Sequence, residues 1–243
     1  MALTTIDGET IRSMSRMAYG HEVWLGNCVR KGNKVSVYGF YGHKLVADKP
    51  MPEGYTNAIL FDDAGRAPNP DKKMVEDPAG WKFTFKDEGA DVYTMYVESN
   101  SVWVTNDEGR HRGVKRDYKN VIRSNASNLS AKKIISKDGK NPGGVMHATL
   151  EIMPKAATFK VGGKAEAKIL YEGKPLGGVA CKVYNAGWQD ILSVNADGKG
   201  SVEFLVDKPG TYIIIARYVD KDKSVCDEFD ETAFTTTLTF DAV

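Results

Sequence analysis

The residues of this chain best suited to hold a transition-metal ion are its four histidines, His21, His43, His111 and His147. A neutral imidazole nitrogen accepts nickel, cobalt, zinc or copper. Two or three imidazoles from separate loops would therefore form an open, nitrogen-rich site. His21 opens the segment HEVWL and stands beside Glu22, whose carboxylate is an additional candidate ligand. His43 follows VSVYGFY and reads as a turn residue whose counterpart by offset in the second half is Gly173. A turn filled by glycine in one place and histidine in the other suggests a function laid over the scaffold, although histidine also simply tolerates such backbone. His111 lies in the basic loop DEGRHRGVKRD, where Arg110 and Arg112 oppose a nearby cation, though loops do close over bound ions. Alternation in VMHATLEI sets His147 on one strand face with Val145, Thr149 and Glu151, as a structural histidine at an interdomain seam or a partner orienting another imidazole.

Other constellations have simpler readings. The acidic tract CDEFDE at Cys226 to Glu231, with Asp220 and Asp222, lacks the glycine-punctuated loop of an EF-hand and reads as a solvated hairpin tip. Tyr38, Phe40, Tyr41, Trp81, Tyr93, Tyr96 and Trp103 alternate with polar residues as a sandwich core does, more simply than as a stacking platform for sugars or bases. No GxSxG elbow, P-loop, HExxH or paired Cys/His spacing is present, and the carboxylates Asp87/Glu88 and Asp107/Glu108 precede glycines as turn residues do. The chain reads as a non-enzyme.

The elements that must position the histidines are strands. Period-two alternation recurs from Val35 onward in VSVYGF, WKFTF from Trp81, VYTMYV from Val92, AEAKILY from Ala165 and GTYIIIARY from Gly210. Turn signals at Pro52, Asp87 and Ala196 separate them. The expected fold is all-β, with two Ig-like β-sandwich domains in tandem. Gly32–Leu45 and Gly162–Leu176 share glycine, lysine and tyrosine at equal offsets, an echo that suggests duplication.

The division expected is a leader or cloning-derived segment over 1–20, an N-terminal sandwich with the metal site over 21–115, a polar connector over 116–144 and a C-terminal Ig-like sandwich over 145–243. The connector reads with one short helix around Ser127 to Ile135. Residues 1–20 lack an apolar signal core, yet Ala18-Tyr19-Gly20 forms a small-x-small triplet directly before His21. The formal net charge of +1 argues against a nucleic-acid partner, and 27% charged with 42% hydrophobic residues argues against disorder. No apolar run is long enough to span a bilayer. Three cysteines are too few for a disulfide scaffold; Cys181 and Cys226 would pair only if their strands are neighbours.

HEVWL, the KGNKV strand entry and Gly42-His43 resemble the periplasmic accessory proteins of nickel and cobalt uptake, including the extracytoplasmic metal-binding component of energy-coupling-factor transporters. LEIMP at Leu150, YEGKPLGGVACKV at Tyr171, NADGKGSVEF and PGTYIIIARY follow in the same order. The resemblance implies an extracytoplasmic protein that binds Ni2+, with Co2+, Zn2+ and Cu2+ as alternatives, and supplies a membrane transporter subunit. It also implies that His21 becomes the mature N-terminus, so that its amine and imidazole chelate the ion together. The twenty residues preceding His21 here depart from that pattern. An adhesion or carbohydrate-binding sandwich with incidental histidines is the alternative.

Overall fold

A computed structural model describes residues 21–49, 51–55, 57–187 and 191–243. The leader expected over 1–20 lies outside the described residues. Among these there is no α-helix, only two short 3-10 turns at Glu53–Tyr55 and Lys115–Asp117. Among the described residues no helix is long and apolar enough to cross a membrane.

The strands run in chain order as β1 (Glu22–Lys31), β2 (Lys34–His43), β3 (Val46–Lys49), β4 (Ile59–Asp62), β5 (Gly65–Ala67), β6 (Asp71–Glu76), β7 (Ala79–Lys86), β8 (Val92–Asn106) and β9 (Gly109–Arg112). Next come β10 (Arg123–Ser136), β11 (Leu150–Pro154), β12 (Thr158–Phe159), β13 (Lys164–Tyr171), β14 (Lys174–Pro175) and β15 (Ala180–Asn185). The last four are β16 (Leu192–Asn195), β17 (Ser201–Leu205), β18 (Gly210–Asp220) and β19 (Glu231–Ala242). They form three sheets. A five-stranded sheet has the order β1-β2-β7-β6 with β3 on β2, and a four-stranded one joins β11, β13, β14 and β17. Between them a ten-stranded sheet runs β16-β15-β18-β19-β10-β8-β4-β5, with β12 and β9 attached.

The protein is thus an all-β structure of Ig-like, sandwich-type packing. The four-stranded sheet packs on one face of β15, β18 and β19 through Leu150, Ile152, Ile169, Val183, Tyr212, Ile214 and Phe240. The five-stranded sheet packs on β8 and β10 through Val23, Leu25, Val37, Phe83, Met95 and Ala131. Its other face meets the central sheet too, where Trp24 and Phe40 join Tyr184, Ile213 and Ile215. Strand β18 is therefore buried on both faces, which is why its sequence is a continuous apolar run and not an alternation. Strand β1 is an edge strand, and its outward carbonyls need partners. The hydroxyl of Thr237 donates to the Val23 carbonyl at 2.6 Å, and that of Thr239 to the Leu25 carbonyl.

The stretch 116–144 corrects the expected local structure. Ser127 to Ile135 is no helix but part of β10, which pairs antiparallel with β8 over its whole length and parallel with β19 from Asn125 to Lys133. One strand in the middle of the largest sheet thus ties the two halves of the chain together. Its polar side chains have distant partners: Lys132 donates to Glu151 at 2.9 Å, Lys133 to Asp241 at 2.8 Å and Ser124 to Asp230 at 2.6 Å.

Candidate metal centre

His21 and His43 converge where β1 begins and β2 ends. Glu22 pairs with Gly42 across the β1–β2 ladder, so the residues flanking that pair share one end of the sheet. The imidazoles lie 4.2 Å apart between ring centroids, and His21 also stacks on Tyr41 at 4.7 Å. A third group joins them. Asp48 on β3 places one carboxylate oxygen 3.5 Å from His21 Nε2 and the other 3.6 Å from His43 Nε2. The candidate ligand atoms of His21, His43 and Asp48 all lie within 4.8 Å of one another.

The β2–β3 hairpin brings Asp48 there. Its two turn residues, Lys44 and Leu45, both have positive φ, 53° and 61°, as a two-residue hairpin turn of the primed type requires. Contrary to expectation, His43 is not in the turn. It is the last residue of β2, paired with Val46, and the corresponding end of β13 is Tyr171 rather than Gly173, which sits in the turn itself. Gly42 is needed for the return strand to pass close: a Cβ there would come within 2.1 Å of the Val46 carbonyl oxygen. The register shift between Tyr41 and Gly42 accompanies that close approach.

The cluster is half-buried, with side-chain exposures of 31% for His21, 21% for His43 and 38% for Asp48. Burial, and then the neighbouring His43, hold the His21 pKa below its ordinary value against the opposing pull of Asp48. A depressed pKa keeps the ring neutral, the form that coordinates metals. The Nδ1 atom of His43 is buried without a hydrogen-bond partner. An unmet buried polar atom costs about 1–3 kcal/mol.

The other expected ligands lie elsewhere. Glu22 is buried; its carboxylate accepts from the Tyr184 hydroxyl and from the Lys44 backbone N–H at 3.1 Å, tying the hairpin turn to β15. His111 bonds Asn106 through Nε2 at 3.1 Å and stacks on Tyr118, so it braces the β8–β9 hairpin. His147 is exposed with φ 59° and precedes β11, which begins only at Leu150; it is not on a strand. The acidic tract from Cys226 is met by bases, Lys115 on Asp230, Arg116 on Glu228 at 3.1 Å and Arg123 on Glu231. All three cysteines are free, and burial pushes the Cys181 thiol up to about 12. Asp48 was missed from the sequence, although a carboxylate five residues after a histidine, across a tight turn between strands, was a readable signal.

A cleft of about 560 Å³ opens beside the cluster, sharing His21 and Tyr41 with it. Its floor is the face of the central sheet that β1 does not cover, formed by Leu129, Ser127 and Asn125 of β10 with residues of β8, β18 and β19.

Among solved structures, a tetra-tandem repeat in the extending region of a large adhesion protein is similar at 12% identity and a TM-score of 0.25, over 91% of this chain and 49% of that one. The chain thus spans about half the length of that structure. Native alpha-2-macroglobulin from Escherichia coli spanning domains MG0-NIE-MG1 matches at 8% identity and a TM-score of 0.23, over 91% and 98% of the two chains. Murine CEACAM1b matches at 10% identity and 0.24, over 92% and 100%. None of the curated proteins matches. A family described as "Domain of unknown function (DUF4198)" matches residues 18–220, and the chain belongs to it.

Proposed function

We propose that this protein binds a divalent transition-metal ion, nickel or cobalt, outside the cytoplasm and supplies it to a membrane uptake transporter. The observation that carries metal binding is the convergence of His21, His43 and Asp48. Their nitrogen-to-oxygen separations of 3.5 and 3.6 Å are long for hydrogen bonds. They are close to the ~3.0–3.5 Å between two atoms that each ligate one ion at ~2.1 Å. Two imidazoles and one carboxylate suit nickel, cobalt, zinc and copper; copper would be held most tightly by intrinsic affinity. The choice of nickel or cobalt, the extracytoplasmic setting and the transporter partner rest on the resemblance of HEVWL and the motifs after it to nickel and cobalt uptake proteins. Three ligands from the chain leave coordination positions open, as reversible carriage requires. In a chain that starts at His21, the α-amino group would add a second nitrogen at that residue.

Calorimetry with nickel, cobalt, zinc and copper tests this, on the full chain and on one starting at His21, beside His43→Ala. The expected outcome is saturable one-to-one binding that the substitution weakens. Undetectable binding of all four ions, or unchanged affinity in the variant, would refute the reading.

A further inference from the structure

The cleft beside the cluster is far larger than an ion needs. Its volume of about 560 Å³ falls within the ~300–1,000 Å³ of small-molecule sites. Three arginines line it, Arg110, Arg123 and Arg217; Arg123 is ion-paired with Glu231, and Glu22, the only carboxylate among the described lining residues, is engaged by Tyr184 and Lys44. Arg110 is held in place with its guanidinium 4.5 Å over the Trp103 ring, and Arg123 is positioned by Glu231. Planar guanidinium forks recognise carboxylates with two parallel hydrogen bonds. The hydroxyls and amide on the floor add donors for more acceptor oxygens. His21 borders both the cleft and the metal cluster, so open coordination positions and carboxylate-binding groups share one space.

From this we infer that the protein takes up its ion as a complex with a small organic polycarboxylate. The arginines hold the carboxylates while the carboxylate oxygens fill the positions that His21, His43 and Asp48 leave open. This rests on the metal-binding reading above. The guanidinium groups lining the cleft do not favour a bare hydrated cation, whereas they do favour an anionic chelate.

The test is a calorimetric titration of the full chain with nickel chloride alone, with citrate alone and with nickel plus equimolar citrate, in a non-coordinating buffer. Citrate sequesters nickel, so a protein that accepts only the free ion must show weaker apparent nickel affinity when citrate is present. The expected result is the opposite, an apparent affinity about tenfold higher with citrate, and radiolabelled citrate retained with the protein only when nickel is present. Arg110→Ala, at an exposed hairpin position, and Arg217→Gln should each abolish the gain while leaving affinity for nickel alone within about twofold. Nickel binding that citrate only weakens, or a gain that survives both substitutions, would overturn the chelate proposal and leave the metal site standing. Absence of nickel binding with or without citrate would overturn both.

Discussion

Two clusters in this protein set basic groups against a carboxylate, and they are completed in different ways. Lys132 and Glu151 are 2% and 3% exposed, and Glu151 takes the Lys132 ammonium at 2.9 Å together with the Met146 backbone N–H at 3.0 Å. At the other cluster the three side chains are only half-buried, their closest ion-pair separations are 3.5 and 3.6 Å, and the buried Nδ1 of His43 has no partner. The first is closed by the chain itself and joins β10 to β11. The second is brought together by the fold but not satisfied by it. Closure of that kind belongs to architecture; the cluster left open beside a cleft is the one on which the proposed metal binding rests.

The strongest test of this contrast is Lys132→Met. Burial pulls the Lys132 pKa down while Glu151 pulls it up, with burial prevailing, so the pair is costly to hold and more costly to break. Removing one partner leaves a buried carboxylate uncompensated, and a loss of about 3–5 kcal/mol in urea-induced unfolding is expected. Adding Glu151→Leu should restore most of it, because the stranded charge goes too. Nickel affinity of the folded double variant should match wild type; a large change would mean that the two clusters are coupled.

His43→Ala should give the reverse pattern. Loss of one of three ligands is expected to cost about 100-fold in nickel affinity by calorimetry, or about 2.7 kcal/mol. Stability without metal should hold or rise, since the substitution also removes a buried nitrogen without a partner. A variant that loses stability as heavily as Lys132→Met would show that the histidine pair is structural.

Gly42→Ala sharpens the comparison by disturbing the scaffold instead of a ligand. The added methyl collides with the Val46 carbonyl, so β3 must move and carry Asp48 with it. Overpacking of this kind costs about 1–3 kcal/mol. Nickel affinity should fall about tenfold, the same loss as in Asp48→Ala, whose stability should stay within about 0.5 kcal/mol of wild type. If Gly42→Ala keeps full affinity, Asp48 is not a ligand.

The sequence reveals these regions unequally, for physical reasons. Strands such as β2, β7, β13 and β18 are legible because burial on one or both faces demands β-branched and aromatic side chains, and local pattern records local burial. Strand β10 is not: RSNASNLSAKKIIS reads as polar, since Lys132, Lys133 and Ser124 are satisfied by Glu151, Asp241 and Asp230, residues that only the finished sheets bring near. His21 and His43 stood out by residue type. Their meeting depended on the β1–β2 register, and the placement of Asp48 beside them depended on a two-residue turn formed by Lys44 and Leu45 without the glycine or asparagine that usually announces it. His147 misled because alternation in VMHATLEI begins at Val145, before the point where pairing starts, at Leu150.

The smallest effect is electrostatic and reads the geometry of the open cluster directly. Burial is the main cause that holds the His21 pKa below its ordinary 6.5; His43 adds to it and Asp48 opposes it. As pH falls through 6.5 the unfolded chain therefore takes up this proton before the folded one does. Above that pH the group has no effect on stability. Below it, protonation favours unfolding until the folded-state pKa is passed, and the same proton competes with a bound ion. Because the folded value is depressed, metal should stay bound to a lower pH than an exposed histidine would allow. NMR titration of the His21 Cε1 proton in metal-free protein separates the contributions. His43→Ala removes a lowering influence and should move the His21 pKa up, whereas Asp48→Asn removes a raising one and should move it further down. Shifts in the same direction, or none in either variant, would mean that the three side chains do not share one site in solution; the distinction between an open cluster and the closed Lys132–Glu151 pair would then fail at its geometric foundation.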